Sequence, residues 1–447
     1  MGTNRRSFIK YASLAAAGNA AGLRPFGLLN SFAQSATDYK ALVCVFLYGG
    51  NDANNMLIQF DTAGYQNYAT VRGPLAIPQA NLLQLGGTAS KFALNPNLPD
   101  VQALFNNSNA ALVANVGTLM QPTTRAQYLA GTTVPTNLFS HSDQQLEWQN
   151  AAQSGVTATG WAGRIADTIS GQYNPNGKVP MITSVAGDTL FCNGTATTPV
   201  SVSPGNLGAA NCNEGLTECG AQQVTAQALL SFSSGLSLVQ ADNSITTNAY
   251  AYAKTLSDAV QSVNPLQTVF PANSGLAAQL KQIAQIIQVR AALGVSRQIF
   301  FAGIGNFDTH SNQVALQGAL LAQIGPALAS FYQATQELNV QNNVTAFTMS
   351  DFSRTFQPNS NTGSDHAWGS HHIVIGGAVK GGKMYGTFPN LTLNGPDDSG
   401  ANGRWVPSTA SVQYASTLAQ WFGVSLSQLS TVFPNIGAFA TNNLGFV

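Results

Sequence analysis

Apolar residues in this chain fall into a few unbroken runs rather than an alternating pattern. Residues 41–47 read Ala-Leu-Val-Cys-Val-Phe-Leu and lead into Tyr48-Gly49-Gly50-Asn51-Asp52. A run without polar alternation predicts a strand buried on both faces, and the Gly-Gly-Asn-Asp stretch predicts a tight loop after it. Residues 110–116, 299–303 and 344–349 repeat the pattern, and 372–376 form a shorter candidate. Between these runs the period changes. Leu276, Leu280, Ile283 and Ile287 keep helical spacing behind a capping Ser274. An Ala/Leu/Gln segment over 313–338 predicts a long helix, bent at Pro326. Strand, helix, strand with doubly buried strands predicts an α/β fold, a largely parallel central sheet flanked by helices. Residues 181–271 break the rhythm. They are rich in Gly, Thr, Ser and Asn, and read as an insertion on a sheet edge or over the site.

Composition narrows the class. The chain has 447 residues, of which 44% are hydrophobic and 8% charged, which excludes an intrinsically disordered protein. The 18 basic and 18 acidic residues balance, so the basic stripe of a nucleic-acid binder is not expected. The balance hides an asymmetry. Arg5, Arg6, Lys10 and Arg24 precede the first acid, Asp38, so the remainder carries 18 − 4 = 14 basic against 18 acidic residues. Asn4-Arg5-Arg6-Ser7-Phe8-Ile9-Lys10, a short apolar run and small residues near Ala33 and Ala36 predict a twin-arginine signal peptide over 1–36. Its apolar run is shorter than the ~20 residues of a membrane span. The expectation is a periplasmic or secreted domain over 37–447 with no transmembrane segment. In an oxidising compartment a disulfide among Cys192, Cys212 and Cys219 is expected, while Cys44 sits alone in a strand. No pair has CxxC spacing, which disfavours a thiolate zinc site.

The candidate chemistry lies at strand exits. The five histidines are His141, His310, His366, His371 and His372. Asp52, Asp308 and Asp351 each follow a predicted strand, and ligands of open α/β sheets bind outside the strands' carboxyl ends. His310 lies two residues past Asp308, and His366, His371 and His372 lie on the chain leaving Asp351. Carboxylates and imidazoles gathered there predict a divalent metal site, for zinc first, with manganese or iron as alternatives. The number of ligands suits one or two ions, two of which clamp attacking and leaving oxygens ~4 Å apart. Each element has a plainer reading. Asp52 suits a turn, and Asp308-Thr309 suits the cap of the 313 helix. Ser142 or Asp143 suits a cap on a helix over 144–152. His371-His372 suits a strand start with one ring facing inward.

The motif order resembles the domain-of-unknown-function 1501 family, and behind it the alkaline phosphatase/sulfatase superfamily. The residues carrying the resemblance are Leu47-Tyr-Gly-Gly-Asn-Asp52, Ser140-His141-Ser142-Asp143 with Trp148, Phe307-Asp-Thr-His310 and Ser350-Asp-Phe-Ser-Arg354. Gly363-Ser-Asp-His366, Gly376-Gly-Ala-Val-Lys-Gly-Gly382, Gly403-Arg-Trp-Val-Pro407 and Trp421-Phe-Gly-Val424 continue it. The resemblance implies an alkaline-phosphatase-like fold with a two-metal site. It puts Asp52 and Asp351 on one ion and Asp308 and His310 on the other. His366 and one of His371 or His372 complete the set. It implies Ser140 or Ser142 as nucleophile at a helix start, with Arg354 or Lys380 neutralising substrate oxyanions. His141 is then a ligand or a general base. Two departures stand out: Phe352 follows Asp351 where the superfamily places His, and the Asp308–His310 spacing is shorter than usual.

Three functions follow. The first is a metal-dependent hydrolase of phosphate or sulfate esters, on small-molecule or polymer substrates. The second is a non-catalytic assembly protein meeting an envelope protein or polysaccharide through its Asn/Gln/Ser/Thr-rich surface. The third uses the metal for redox or oxygen chemistry.

Overall fold

The computed structural model describes residues 38–132, 134–151, 158–205, 207, 230 and 236–447. The expected signal peptide, Cys212 and Cys219 lie outside the described residues. The chain divides into residues 1–39 and 40–447, and the fold is that of the second unit.

Nine strands build the central sheet: β1 (Lys40–Leu47), β2 (Ala110–Gly117), β3 (Ile182–Ser184), β4 (Val200–Ser201), β5 (Arg297–Ile304), β6 (Val344–Ser350), β7 (Ser370–Ile375), β8 (Met384–Tyr385) and β9 (Thr409–Ala410). Their spatial order is β8-β2-β7-β6-β1-β5-β3-β4, with β9 also on β2. β1 lies at the centre, parallel to β5 on one side and to β6 on the other. It is buried from Ala41 to Leu47, which explains its unbroken apolar sequence. The sheet is mixed: β7 runs antiparallel to both β2 and β6. Residues 181–271 supply β3 and β4 to one edge of the sheet, both parallel to their neighbours.

Among the described residues, eight α-helices reach eight residues or more. They are α1 (Thr62–Arg72), α2 (Pro99–Asn106), α3 (His141–Asn150), α4 (Trp161–Tyr173), α5 (Ser237–Gln261), α6 (Gly275–Gln288), α7 (Gln313–Glu337) and α8 (Ser411–Phe422). Ser274 caps α6 as its sequence predicts, accepting from the Ala277 amide. Leu42, Cys44 and Phe46 share one core with Ile299, Phe301, Trp161, Ile165, Tyr414 and Phe422. That face is covered by α4 and α8. The alternate positions Val43 and Val45 are equally buried and point to the opposite face, where α6 packs on β5 and α7 packs on α6 and α2. α7 is long and apolar enough to cross a membrane by length and composition. This differs from the expectation of no such segment, and the reason is its place in the fold: Leu321, Ile324, Leu328 and Phe331 are buried in the core. Cys44 and Cys192 are both buried free thiols, so Cys192 does not enter the expected disulfide.

Register sets the site. Leu47 is level with Ile304 on β5 and with Ser350 on β6. Three parallel strands therefore end together, and the residues just past them meet at one edge.

Candidate functional site

Gly49 and Gly50 leave β1 with φ of 108° and 79°, a region that favours glycine. A Cβ on Gly49 would lie 2.6 Å from the Asp308 amide, so the glycine lets the loops after β1 and β5 touch. Gly363 plays the same part from a third loop: a Cβ there would lie 2.1 Å from the His310 carbonyl carbon. These contacts press the strand exits together around Asp308.

Asp308 is half-exposed, and its Oδ1 is the meeting point. The Nε2 atoms of His310, His366 and His141 lie 3.0, 3.5 and 3.5 Å from it. The Nε2 atoms of His310 and His366 are 3.0 Å apart. Each imidazole is held from behind by its Nδ1. His141 Nδ1 meets Asp351 Oδ2 at 2.7 Å, His310 Nδ1 meets Asp365 Oδ1 at 3.1 Å, and His366 Nδ1 meets the Phe139 carbonyl at 2.7 Å. An acceptor at Nδ1 favours the tautomer that leaves Nε2 with its lone pair, the arrangement that supports metal-binding histidines; His310 Nε2 also lies 3.4 Å from the Arg354 guanidinium. Phe352 stacks on His366 with ring centroids 4.7 Å apart and meets His141 at 4.8 Å, which fixes both ring planes. The buried His141 Nε2 has no hydrogen-bond partner among the described residues.

The electrostatics follow the contacts. Burial raises the Asp308 pKa, but the Arg354 guanidinium at 2.5 Å outweighs it and holds the carboxylate below its ordinary value. The hydrogen bond to Asp351 raises the His141 pKa against the effect of burial. Burial lowers that of His366 despite the Phe139 carbonyl.

His141, Asp308 and His366 thus form a group able to hold a metal ion, with His310 beside them. Bonds of ~2.0 Å in a tetrahedral site place ligand atoms about 3.3 Å apart. The separation of each Nε2 from Asp308 Oδ1 and that of His310 from His366, 3.0 to 3.5 Å, bracket that value, while the group whose atoms all lie within 4.8 Å of one another is His141, Asp308 and His366.

The remaining expected ligands are elsewhere. Asp52 is buried as the cap of a short 3-10 helix. Its Oδ2 accepts from Arg72 and Gln313, and its Oδ1 from the Asn54 amide at 3.0 Å. Both oxygens are taken by buried donors, so the turn reading is the one that fits. Asp351 is buried and bonds the Gly49 amide, His141 and Gln145, at 3.1, 2.7 and 2.8 Å, and so holds His141 from behind. His371 and His372 sit in the middle of the sheet because β7 carries them into it. His371 Nδ1 accepts from the Asn115 amide at 3.0 Å, and its ring stacks on Phe388. His372 packs against Trp148 and Tyr414, with neither nitrogen hydrogen-bonded to any described residue. Burial pushes both imidazoles down to about 3. The expected two-metal set therefore reduces to one cluster.

The other expected residues divide as follows. Helix α3 starts at His141, earlier than expected, and Ser140 caps it. Ser140 Oγ accepts from the Asp143 amide and donates to the Asp143 carboxylate at 2.5 Å, while Ser142 Oγ lies 3.1 Å from Ser140 Oγ. Arg354 reaches the cluster, with its other donors on the carbonyls of Gly49, Gly50 and Ser364. Lys380 does not: it follows an antiparallel strand and bonds the Gly445 carbonyl at 3.2 Å. Sequence reasoning missed the supports. Gln145 lies one turn beyond His141 and Asp365 immediately precedes His366, so proximity in sequence was the available signal for both. Nothing local announced Arg72 or Gln313.

No curated protein matches the chain. Among solved structures, a sulfatase from Pseudoalteromonas is similar at 9% identity and a TM-score of 0.35, over 90% of this chain and 71% of that one. The lipoteichoic acid synthase of Listeria monocytogenes is similar at 7% and 0.34, over 87% and 72%. The phosphonate monoester hydrolase of Agrobacterium radiobacter is similar at 8% and 0.33, over 87% and 74%. At these values the chemistry of the site is read from this chain's own residues. Residues 39–399 match the model of a family described as protein of unknown function (DUF1501), and the chain belongs to that family.

Proposed function

We propose that the protein is an exported metal-dependent hydrolase of phosphate or sulfate esters, with one ion held by His141, His310, His366 and Asp308. The observation that carries this reading is the convergence of three Nε2 atoms on one carboxylate oxygen, each with its Nδ1 already fixed. Three imidazoles and a carboxylate suit zinc, and also manganese or iron. When bound, the ion supplies Lewis acidity toward an ester oxygen and acidifies water. The chain's own residues do the rest. Asp351 and Asp365 hold the imidazole protons at Nδ1. Arg354 keeps Asp308 ionised. Phe352 shields the inner side of the cluster from water, and the half-exposed Asp308 marks its open side. Ser140 is committed to the helix cap, which leaves water or the exposed Ser142 as the attacking group.

Mass spectrometry of untagged protein tests the reading, with His310→Ala beside it. One equivalent of metal in the native chain, lost in the variant, is expected, followed by turnover on a panel of aryl phosphates, diesters and sulfates. Native protein without metal would sink it. Oxygen chemistry is a second reading, since the three-to-one count of imidazole to carboxylate also suits non-haem iron. Colourless zinc protein would remove that reading.

A further inference from the structure

The resemblance gave substrate anions to Arg354 or Lys380, and the structure has already used both. Another arginine stands at the cluster. Arg404 donates from Nε to the His366 carbonyl at 2.8 Å. Its guanidinium carbon lies 4.1 Å over the ring of Phe139, whose carbonyl accepts from the His366 imidazole. Arg404 is therefore joined to one ligand residue by two routes. Among the described residues, its terminal amines, unlike those of Arg354, show no acceptor. The loop that carries it is tied together by hydrogen bonds to one carboxylate. The buried Asp398 carboxylate accepts amides from Asn394 at 2.9 Å and from Gly400, Gly403 and Arg404 at 3.0 Å. The side chain is partly exposed. Phe139, the ring that Arg404 covers, also lines a pocket of about 450 Å³ together with Tyr128, Asn137, Leu138 and Ser140; Arg404 itself is not part of that lining.

We propose that Arg404 is the substrate-binding cation, gripping the phosphate or sulfate group of the ester while the organic part lies along Phe139 in this pocket. This rests on the hydrolase reading above. A planar guanidinium matches two oxygens of a tetrahedral anion at once, which an ammonium cannot do. Stacking on Phe139 and the Nε bond to His366 fix the plane before substrate arrives, so little rotamer freedom is lost on binding. The fixed plane also ties anion capture to the backbone of His366.

Calorimetric titration of inorganic phosphate and of sulfate into zinc-loaded native protein, Arg404→Ala and Arg404→Lys tests this, with the metal content of each sample measured. The expectation is tenfold to hundredfold weaker anion binding in Arg404→Ala, from the ~1.5–3 kcal/mol of a charge-assisted contact. Arg404→Lys should recover part of it, with metal content unchanged in both. Native affinity in Arg404→Ala, or no anion binding by native protein, would overturn the proposal. So would metal loss from both variants, since Arg404 would then be a support for His366. Native protein that takes up no zinc fails the hydrolase reading. Arg404-dependent anion binding in that same sample would leave the arginine's role standing.

Discussion

Asp52 and Asp365 differ in what their oxygens already hold, and that difference separates stability from metal binding. Asp52 pairs with Arg72, and both side chains are fully buried. Asp52→Asn leaves the Arg72 guanidinium buried without its counter-charge, a change that costs about 3 kcal/mol or more. A lower urea midpoint with unchanged metal content is expected. Asp365 is half-exposed and holds one ring nitrogen of His310. Asp365→Ala should scarcely change the midpoint, because surface substitutions usually stay within about 0.5 kcal/mol. It should weaken metal affinity by about tenfold to a hundredfold, the usual effect of losing such a support. Competition with a chelating dye reads that loss. Equal metal affinity in Asp365→Ala and native protein would mean that His310 is not a ligand.

Elements carry the site through their ends. Ser140 caps α3, and the helix begins on His141, a member of the cluster. Ser140→Ala should lower stability by about 1 kcal/mol, the value of a cap. Turnover should fall by less than tenfold; a thousandfold loss would restore the serine to the reaction itself. Gly49→Ala places a Cβ against the Asp308 amide at a strained φ, costing about 2 kcal/mol and loosening the meeting of two loops. The strands, α6 and α7 were legible in sequence because burial on both faces, caps and helical spacing are local signals. That Asp308, His310 and His366 meet at one edge was legible, because they sit just past parallel strands or on the loop that follows. Three things were not legible. β7 turns antiparallel, which draws His371 and His372 into the core and removes Lys380 from the site. Asp351 follows a parallel strand as a ligand would, yet Gly49, His141 and Gln145 meet its oxygens, and those contacts come from distant parts of the chain. The Asp52–Arg72 pair likewise depends on how α1 folds back on the loop after β1.

At the scale of the whole molecule, the two core imidazoles make stability depend on pH. His371 and His372 are held neutral, at about 3 against an ordinary 6.5. On unfolding below pH 6.5 each takes up a proton that the folded chain refuses, so stability falls as pH falls. Glu147 acts in the opposite sense. Burial raises it to about 7 from 4.5, so the folded chain keeps a proton that the unfolded chain releases above 4.5. Between pH 6.5 and 4.5 these three groups leave a net uptake of one proton on unfolding, about 1.4 kcal/mol lost per pH unit, and below 4.5 the uptake becomes two. His372→Phe isolates one imidazole. The ring packs between Trp148 and Tyr414 with both nitrogens unsatisfied, and a phenyl group fits that space without buried polar atoms. The variant should be more stable than native protein at neutral pH, by about 1–3 kcal/mol. Its urea midpoint should fall less steeply with acid. Metal content should be unchanged, because the ring lies in the core and not at the strand exits. A variant that lost its metal would return His372 to the ligand set, and one with the native pH slope would mean that the imidazole is already protonated in the folded chain.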